Sequence, residues 1–228
     1  MAQNEITVAL AGNPNSGKTT VFNNLTGAHQ YVGNWPGVTI EKKEGRHIYQ
    51  GYCIRVVDLP GVYSLTAYSP DEVIARNFIV DQKPDVVVDI IDASNLERNL
   101  YLTVQILEMG APLIIALNMM DMAQTMGHLI NIKALTQETG APVVTMIASH
   151  NRGTDELLAE IVRTATGGNN NKPFKLYYGQ EIENEISNLE RVVAESPLAQ
   201  KYPPRWLAIK LLEEDEEVTK NFQEAGLV

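Results

Sequence analysis

Cysteine is nearly absent. Cys53 stands alone among 228 residues, so no intrachain disulfide can form and a reducing compartment fits. A basic surplus is missing as well: 18 Lys and Arg face 28 Asp and Glu, a formal net charge of −10. Chains that grip nucleic acid usually carry a basic face, so nucleic acid is not an expected partner. Apolar runs such as Val86–Val88 and Leu113–Leu117 fall far short of the ~18 residues a bilayer span requires. The opening Met-Ala-Gln-Asn-Glu-Ile has neither the basic start nor the apolar stretch of a secretory signal. His29, His47, His128 and His150 are scattered, with no Cys or carboxylate at ligand spacing, so no transition-metal site is expected. What remains is a soluble intracellular chain whose 44% hydrophobic content suits an ordinary globular core.

Short apolar runs alternate with longer amphipathic ones. Ile6–Ala11, Val38–Tyr49, Tyr52–Asp58, Val86–Ile91, Leu113–Leu117 and Pro142–Met146 read as strands. Gln50-Gly51 joins the second and third as a hairpin. Helices are expected over Lys18–Leu25, Asp71–Val80, Leu96–Glu108, Ile130–Thr139 and Thr154–Thr166. Strands alternating with helices imply a mostly parallel sheet covered on both faces, with its ligand at the carboxyl ends of the strands. A Gly- and Asn-rich linker follows. Helical spacing then resumes at Ile182, Ile186, Leu189 and Val193 and again over Arg205–Glu213. The division is therefore an α/β domain over 1–166, a linker over 167–172 and a small helical domain over 173–228.

Gly12-Asn13-Pro14-Asn15-Ser16-Gly17-Lys18-Thr19 fits G-x-x-x-x-G-K-[ST] between a strand and a helix. In such a loop backbone N–H groups turn inward around phosphate oxygens, and the helix N-terminus adds positive potential. Lys18 would reach the β- and γ-phosphates and the Thr19 hydroxyl would bind Mg²⁺. Asn118-Met119-Met120-Asp121 follows an apolar strand and selects the base. A carboxylate at Asp121 accepts from guanine N1 and the exocyclic amine, a donor pair adenine lacks, while Asn118 steadies the base and a neighbouring loop. Asp58-Leu59-Pro60-Gly61 ends another strand. Asp58 would hold Mg²⁺ through water, and the Gly61 N–H would touch the γ-phosphate. Thr39 stands in a loop placed to reach Mg²⁺ when the γ-phosphate is present, so Gly33–Thr39 should order and disorder with nucleotide state. Val62 occupies the position where many Ras-like GTPases carry a water-orienting Gln. Ser69-Pro70-Asp71-Glu72 reads as a helix capping box rather than a source of a general base.

Four segments together resemble the cytosolic N-terminal G domain of the ferrous-iron transporter B family, FeoB. They are Gly12–Thr19, Gly33-Asn34-Trp35-Pro36-Gly37-Val38-Thr39, Asp58-Leu59-Pro60-Gly61-Val62-Tyr63-Ser64-Leu65 and Asn118–Asp121. Asn-Trp-Pro-Gly before the switch threonine is the most specific. The resemblance implies a Ras-like P-loop GTPase fold with a six-stranded sheet, followed by the small all-helical domain. It implies GTP hydrolysis with Mg²⁺ and stimulation by K⁺, with Asn15 as the K⁺ ligand. The implied nucleotide contacts are Asn13, Pro14, Asn15, Ser16, Gly17, Lys18, Thr19, Thr20, Thr39, Asp58, Gly61, Asn118, Met119, Asp121, Ala148 and Ser149. Lys18, Thr39 and Gly61 carry catalysis, and Thr19, Thr39 and Asp58 hold the magnesium. Met119 departs from the usual lysine of N-K-x-D. The last base-contacting motif reads Ile147-Ala148-Ser149, which leaves its register open. As implied partners the family brings a membrane permease domain of the same full-length protein, with room for a small accessory Feo protein and for an oligomer. It also implies a place on the cytoplasmic face of the bacterial inner membrane.

Two other functions share these motifs. A GTPase of ribosome or tRNA maturation should carry a basic appendage, yet residues 171–228 hold seven Lys and Arg against eleven Asp and Glu. A nucleotide sensor acting by occupancy rather than turnover is compatible with Val62.

Overall fold

The computed structural model describes residues 5–27, 29–66, 68–167 and 174–224, so the linker expected over 167–172 lies outside the described residues except for Gly167. Strand β1 (Glu5–Gly12) leads into α1 (Lys18–Thr26), followed by β2 (Gln30–Asn34), β3 (Glu41–Tyr49) and β4 (Tyr52–Asp58). Next come α2 (Pro70–Asn77), β5 (Val86–Asp92), α3 (Leu96–Glu108), β6 (Leu113–Asn118) and α4 (Met120–Thr125). Then α5 (Ile132–Thr139), β7 (Val143–Thr145) and α6 (Thr154–Thr166) finish the sheet domain. The helical extension consists of α7 (Gln180–Val193), α8 (Pro204–Leu212) and α9 (Glu216–Glu224). No helix among the described residues is long and apolar enough to cross a membrane.

The sheet has seven strands in the order β2-β3-β4-β1-β5-β6-β7, one more than expected. Pairing is parallel from β4 through β1, β5 and β6 to β7, and antiparallel between β2, β3 and β4. The additional strand, β2, contains Val32, Gly33 and Asn34, which the sequence placed in a loop. As an edge strand it is exposed along nearly its whole length, so it lacks the buried alternation by which strands are recognised. Val38–Ile40 lie instead in the turn before β3. The β3–β4 hairpin turns at Gln50 and Gly51, both at positive φ (48° and 83°), as a two-residue primed turn requires.

Val8, Leu10, Val88 and Ile90 face α1 and α6, packing on Val21, Phe22, Leu25, Leu157 and Ile161. Val57, Val87, Ile91 and Leu117 face the opposite side, with Leu65, Phe78, Leu102 and Ile106. The helical extension feeds Tyr202, Trp206, Leu207 and Phe222 into this second cluster. Helix α2 begins with the expected capping box: Glu72 N donates to Ser69 Oγ (3.3 Å) and Ser69 N donates to Glu72 Oε2 (3.2 Å). Glu72 also accepts from Ser64 Oγ at 2.7 Å, so its carboxylate is committed to structure. Past Asn77 the helix widens into a π-helical turn over Phe78–Gln82 that buries Phe78, Ile79 and Val80.

One carboxyl is buried in the middle of the sheet. Asp89 on β5 is 1% exposed and accepts from Thr103 Oγ1 at 2.7 Å. Burial pushes its pKa up from 3.8 to about 7, against the lowering effect of the Thr103 hydrogen bond. The folded state therefore holds this proton more tightly than the unfolded chain. Stability falls as pH rises from about 4 to about 7, and the penalty is complete above that window. Asp89→Asn should raise the thermal midpoint at pH 8 by several degrees, with a gain that shrinks steadily as pH falls and vanishes below about pH 4. Thermal melts of both proteins across this range check it.

Candidate functional site

The carboxyl ends of β1, β4 and β6 converge on one edge of the sheet. Strand β1 delivers Gly12, after which the loop turns through Ser16 N to Asn13 O (3.2 Å) and enters α1 at Gly17, whose φ is 89°. Gly17 brings no side-chain cap, so the first amides of α1 stay available to an anion. A Cβ at Gly17 would stand 2.3 Å from Asn118 Nδ2, so only glycine lets the phosphate loop close on β6. Both amide atoms of Asn13 and the Ser16 hydroxyl are buried without partners, and such groups are normally satisfied. Asn13, Pro14, Asn15, Gly17, Lys18, Thr19 and Gly61 line a concavity of about 520 Å³. A larger one of about 890 Å³ opens beside β2 and β3, lined by residues including His29, Tyr31, Arg46 and Arg55. Of these two, the smaller one has a lysine, the Thr19 hydroxyl and the uncapped first amides of α1 together, so the chemistry belongs there.

Strand β4 ends at Asp58, buried, whose carboxylate pairs with the Lys18 ammonium. Gly61 sits against Pro14, with 3.4 Å between a built Cβ and Pro14 Cα. Val62 is 4% exposed and donates its N–H to Gly12 O (3.3 Å), so its side chain faces the core. Thr19 and Thr20 are exposed on the first turn of α1. The oxygens of Thr19 and Asp58, beside Lys18, form a hard donor set that fits Mg²⁺.

Strand β6 supplies the other end. Asn118, 3% exposed, donates from Nδ2 to Ser16 O (2.9 Å) and accepts at Oδ1 from Ala148 N (2.9 Å). The side chain thus joins the phosphate loop to the Ala148–His150 turn, and it is Ala148, not Ile147, that meets it. Met119 takes φ 59° and opens α4, placing the half-buried Asp121 in the first turn. Met122 on α4 and Met126 at its C-terminal cap are 45% and 57% exposed.

Two residues stand apart. Thr39 is exposed, in a loop closed by Trp35 N donating to Ile40 O (2.9 Å), and does not line the phosphate concavity. Ser149 is exposed, its hydroxyl 3.3 Å from His150 Nδ1. Sequence reading missed what anchors the loops. Trp35 is 7% exposed and meets Phe78 edge-to-face at 5.6 Å, with Lys42 Nζ 4.9 Å above its ring. Gln105 Oε1 accepts from Leu65 N at 2.6 Å, pinning the segment after Gly61. A lone aromatic in a loop and a Gln in a helix gave no local signal of either contact.

The family model described as ferrous iron transport protein B matches residues 6–161, and that of the FeoB cytosolic helical domain matches 178–227. The Fe(2+) transporter FeoB of Shigella flexneri is 45% identical over 216 residues, 92% of this chain and 27% of that protein. A Fe(2+) transport protein A/FeoB fusion of Porphyromonas gingivalis is 42% identical over 94% of this chain and 26% of its own length. The chain therefore spans about a quarter of the curated relatives it matches. Among solved structures, the cytosolic domain of T. maritima FeoB in a GDP form superposes with a TM-score of 0.93 at 41% identity, covering 99% of this chain and 88% of that one. Its GMPPNP form gives 0.91 at 42% identity, covering 98% and 87%. With a Ras-like P-loop GTPase fold, a helical extension and matches along nearly its whole length, the chain belongs to the FeoB family.

Proposed function

We propose that this chain binds GTP and GDP, hydrolyses GTP, and serves as the cytosolic regulatory part of a bacterial ferrous-iron transporter. The observation that carries this is Asn118, whose two hydrogen bonds tie the phosphate loop to the base end of one site. Phosphates accept from the uncapped amides of α1 and from Lys18, whose ammonium exchanges Asp58 for the γ-phosphate. The base lies toward Asp121, between Met119 and the Ala148–Ser149 turn. Thr19, Asp58 and, once its loop closes, Thr39 would hold Mg²⁺, which neutralises charge developing on the phosphate oxygens. Gly61 turns its N–H toward the γ-phosphate. Val62, buried, has no polar group with which to orient water, so the loop backbone must do so and unaided hydrolysis is slow. With Gly33 and Asn34 paired in β2, the segment that orders around nucleotide narrows to Pro36–Thr39. The permease domain of the longer protein is the partner whose Fe²⁺ passage this cycle regulates.

Asn15 stands exposed within the phosphate loop at φ 67°, and its side-chain oxygen is the natural ligand for K⁺. Monovalent charge at that position would assist hydrolysis as an arginine finger does elsewhere. Lacking directional donors, it should yield only ~10–100-fold of the ~10³–10⁵ an arginine gives. Turnover of Mg²⁺–GTP is measured in K⁺, Na⁺ and a bulky organic cation at constant ionic strength, for wild type and Asn15→Ala. K⁺ should exceed the other cations in wild type only. Equal rates in all three salts would remove the potassium role, and K⁺ stimulation surviving in Asn15→Ala would remove Asn15 as its ligand. Absence of any turnover, with tight GDP binding, would favour a sensor working by occupancy, a reading that Val62 supports.

A further inference from the structure

Ala148 is held from two sides. Its N–H donates to Asn118 Oδ1 (2.9 Å), and its C=O accepts from Asn24 Nδ2 at 2.8 Å. Asn118 in turn donates to Ser16 O (2.9 Å). Ser16 lies just before α1 and Asn24 lies within it. The three bonds therefore close a ring through the phosphate loop, the end of β6, the Ala148–His150 turn and back to α1. Among the described residues, Asn118 and Asn24 are the side chains of other elements that hydrogen-bond to this turn. Its remaining bonds are local: His150 N to Ile147 O (3.0 Å), Asn151 N to Ala148 O (3.0 Å) and the reciprocal Ile147–Arg152 pair (3.1 and 3.2 Å).

Resting on the nucleotide-site reading above, we propose that Asn24 is a positioning residue for the guanine base. It fastens the base turn to the helix whose N-terminus receives phosphate, and so sets how slowly nucleotide leaves. Asn24 follows Thr19 by five residues, about 7.5 Å along the helix axis, so α1 fixes the spacing between the phosphate and base ends. Removing Asn24 leaves no orphan, because Ala148 O keeps Asn151 N. The expected consequence is thus a looser turn, not a damaged fold. Asn23, next to it, supplies a control: it is exposed, and its Oδ1 accepts from Gln30 Nε2 (3.0 Å), away from the turn.

The test is release of fluorescent GDP from wild type, Asn24→Ala, Asn24→Asp and Asn23→Ala in the intact chain with Mg²⁺. Asp keeps the shape but turns an acceptor toward Ala148 O. Losing one neutral hydrogen bond should speed release by about five- to tenfold in both Asn24 variants, and not in Asn23→Ala. KM for GTP should rise while kcat at saturating GTP holds. Tripolyphosphate, which has no base, should bind the variants as tightly as wild type. Off-rates within twofold of wild type would overturn the proposal, as would an equal loss of tripolyphosphate affinity, which would mean Asn24 supports α1 as a whole. A wild-type chain that binds no GDP would overturn the nucleotide-site reading itself, a result plainly different from unchanged off-rates in chains that do bind it.

Discussion

Asp121→Asn lowers GDP affinity by about 10²–10⁴-fold and makes xanthine nucleotide the preferred ligand. The carboxylate stands half-buried in the first turn of α4, two residues after Asn118–Met119. A guanine seated there donates from N1 and from the exocyclic amine to the two carboxylate oxygens. Charge-assisted hydrogen bonds are worth about 1.5–3 kcal/mol each, so losing both costs roughly 3–6 kcal/mol. An amide at this position offers one donor and one acceptor, the complement of xanthine, which carries a carbonyl where guanine carries the amine. Titration of both proteins with fluorescent GDP and XDP decides the matter. Unchanged GDP affinity in the variant would rule out the base contact. Because Asp121 makes no side-chain hydrogen bond or ion pair among the described residues, and α4 begins at the adjacent Met120, a folding defect should not obscure the result.

The parts of the site that could be read from sequence are those whose geometry is local. Gly12–Thr19 encodes its own turn, because the loop and the helix it opens are contiguous; α1 begins at Lys18 as the motif requires. Asp58 and Asn118 end strands whose apolar runs announce them, and the structure brings both to the same sheet edge. Asn118 also shows where local reading stops. That its amide meets Ala148 depends on β7 and the turn after it returning beside β6, a juxtaposition across 30 residues that no spacing rule contains. Strand β2 was missed because an exposed edge needs no buried face, so Gln-Tyr-Val-Gly-Asn carries no period-two pattern. Helix α4, six residues long, is too short to show a helical period. Trp35 was legible as unusual, but its burial against Phe78 joins two segments that neither predicts alone.

Arg76 was invisible for the same reason, and its removal should be the most damaging single change to the packing of the helical extension. The guanidinium on α2 is fully buried. It donates to Asp215 Oδ2 at 2.9 Å, pairs with Glu217, reaches Leu65 O at 3.4 Å and lies 5.8 Å from the Trp206 ring centroid. Asp215, itself 5% exposed, also accepts from Val218 N through Oδ1 (3.0 Å) at the start of α9. Asp215 is thus anchored to α9 at one oxygen and to α2 at the other. Burying both ions carries a large desolvation cost that their attraction only offsets, so the pair itself adds little net stability. Removing one partner is a different matter, because Asp215 would remain buried with one oxygen unanswered. Arg76→Ala should cost about 3–5 kcal/mol, and hydrogen exchange should show protection lost first in α9. Adding Asp215→Asn should recover part of the loss, since a neutral amide is cheaper to leave unpaired. Arg76→Met combined with Asp215→Leu should return close to wild-type stability, because packing replaces charge at similar volume. Denaturant titrations of wild type, Arg76→Ala, Asp215→Asn and the two double variants measure these changes. A loss below about 1 kcal/mol in Arg76→Ala, the range of exposed pairs, would show that the extension is held by its apolar contacts through Tyr202, Trp206 and Phe222 rather than by Arg76. An Asp215→Asn single variant as damaging as Arg76→Ala would shift the weight from the ion pair to the start of α9.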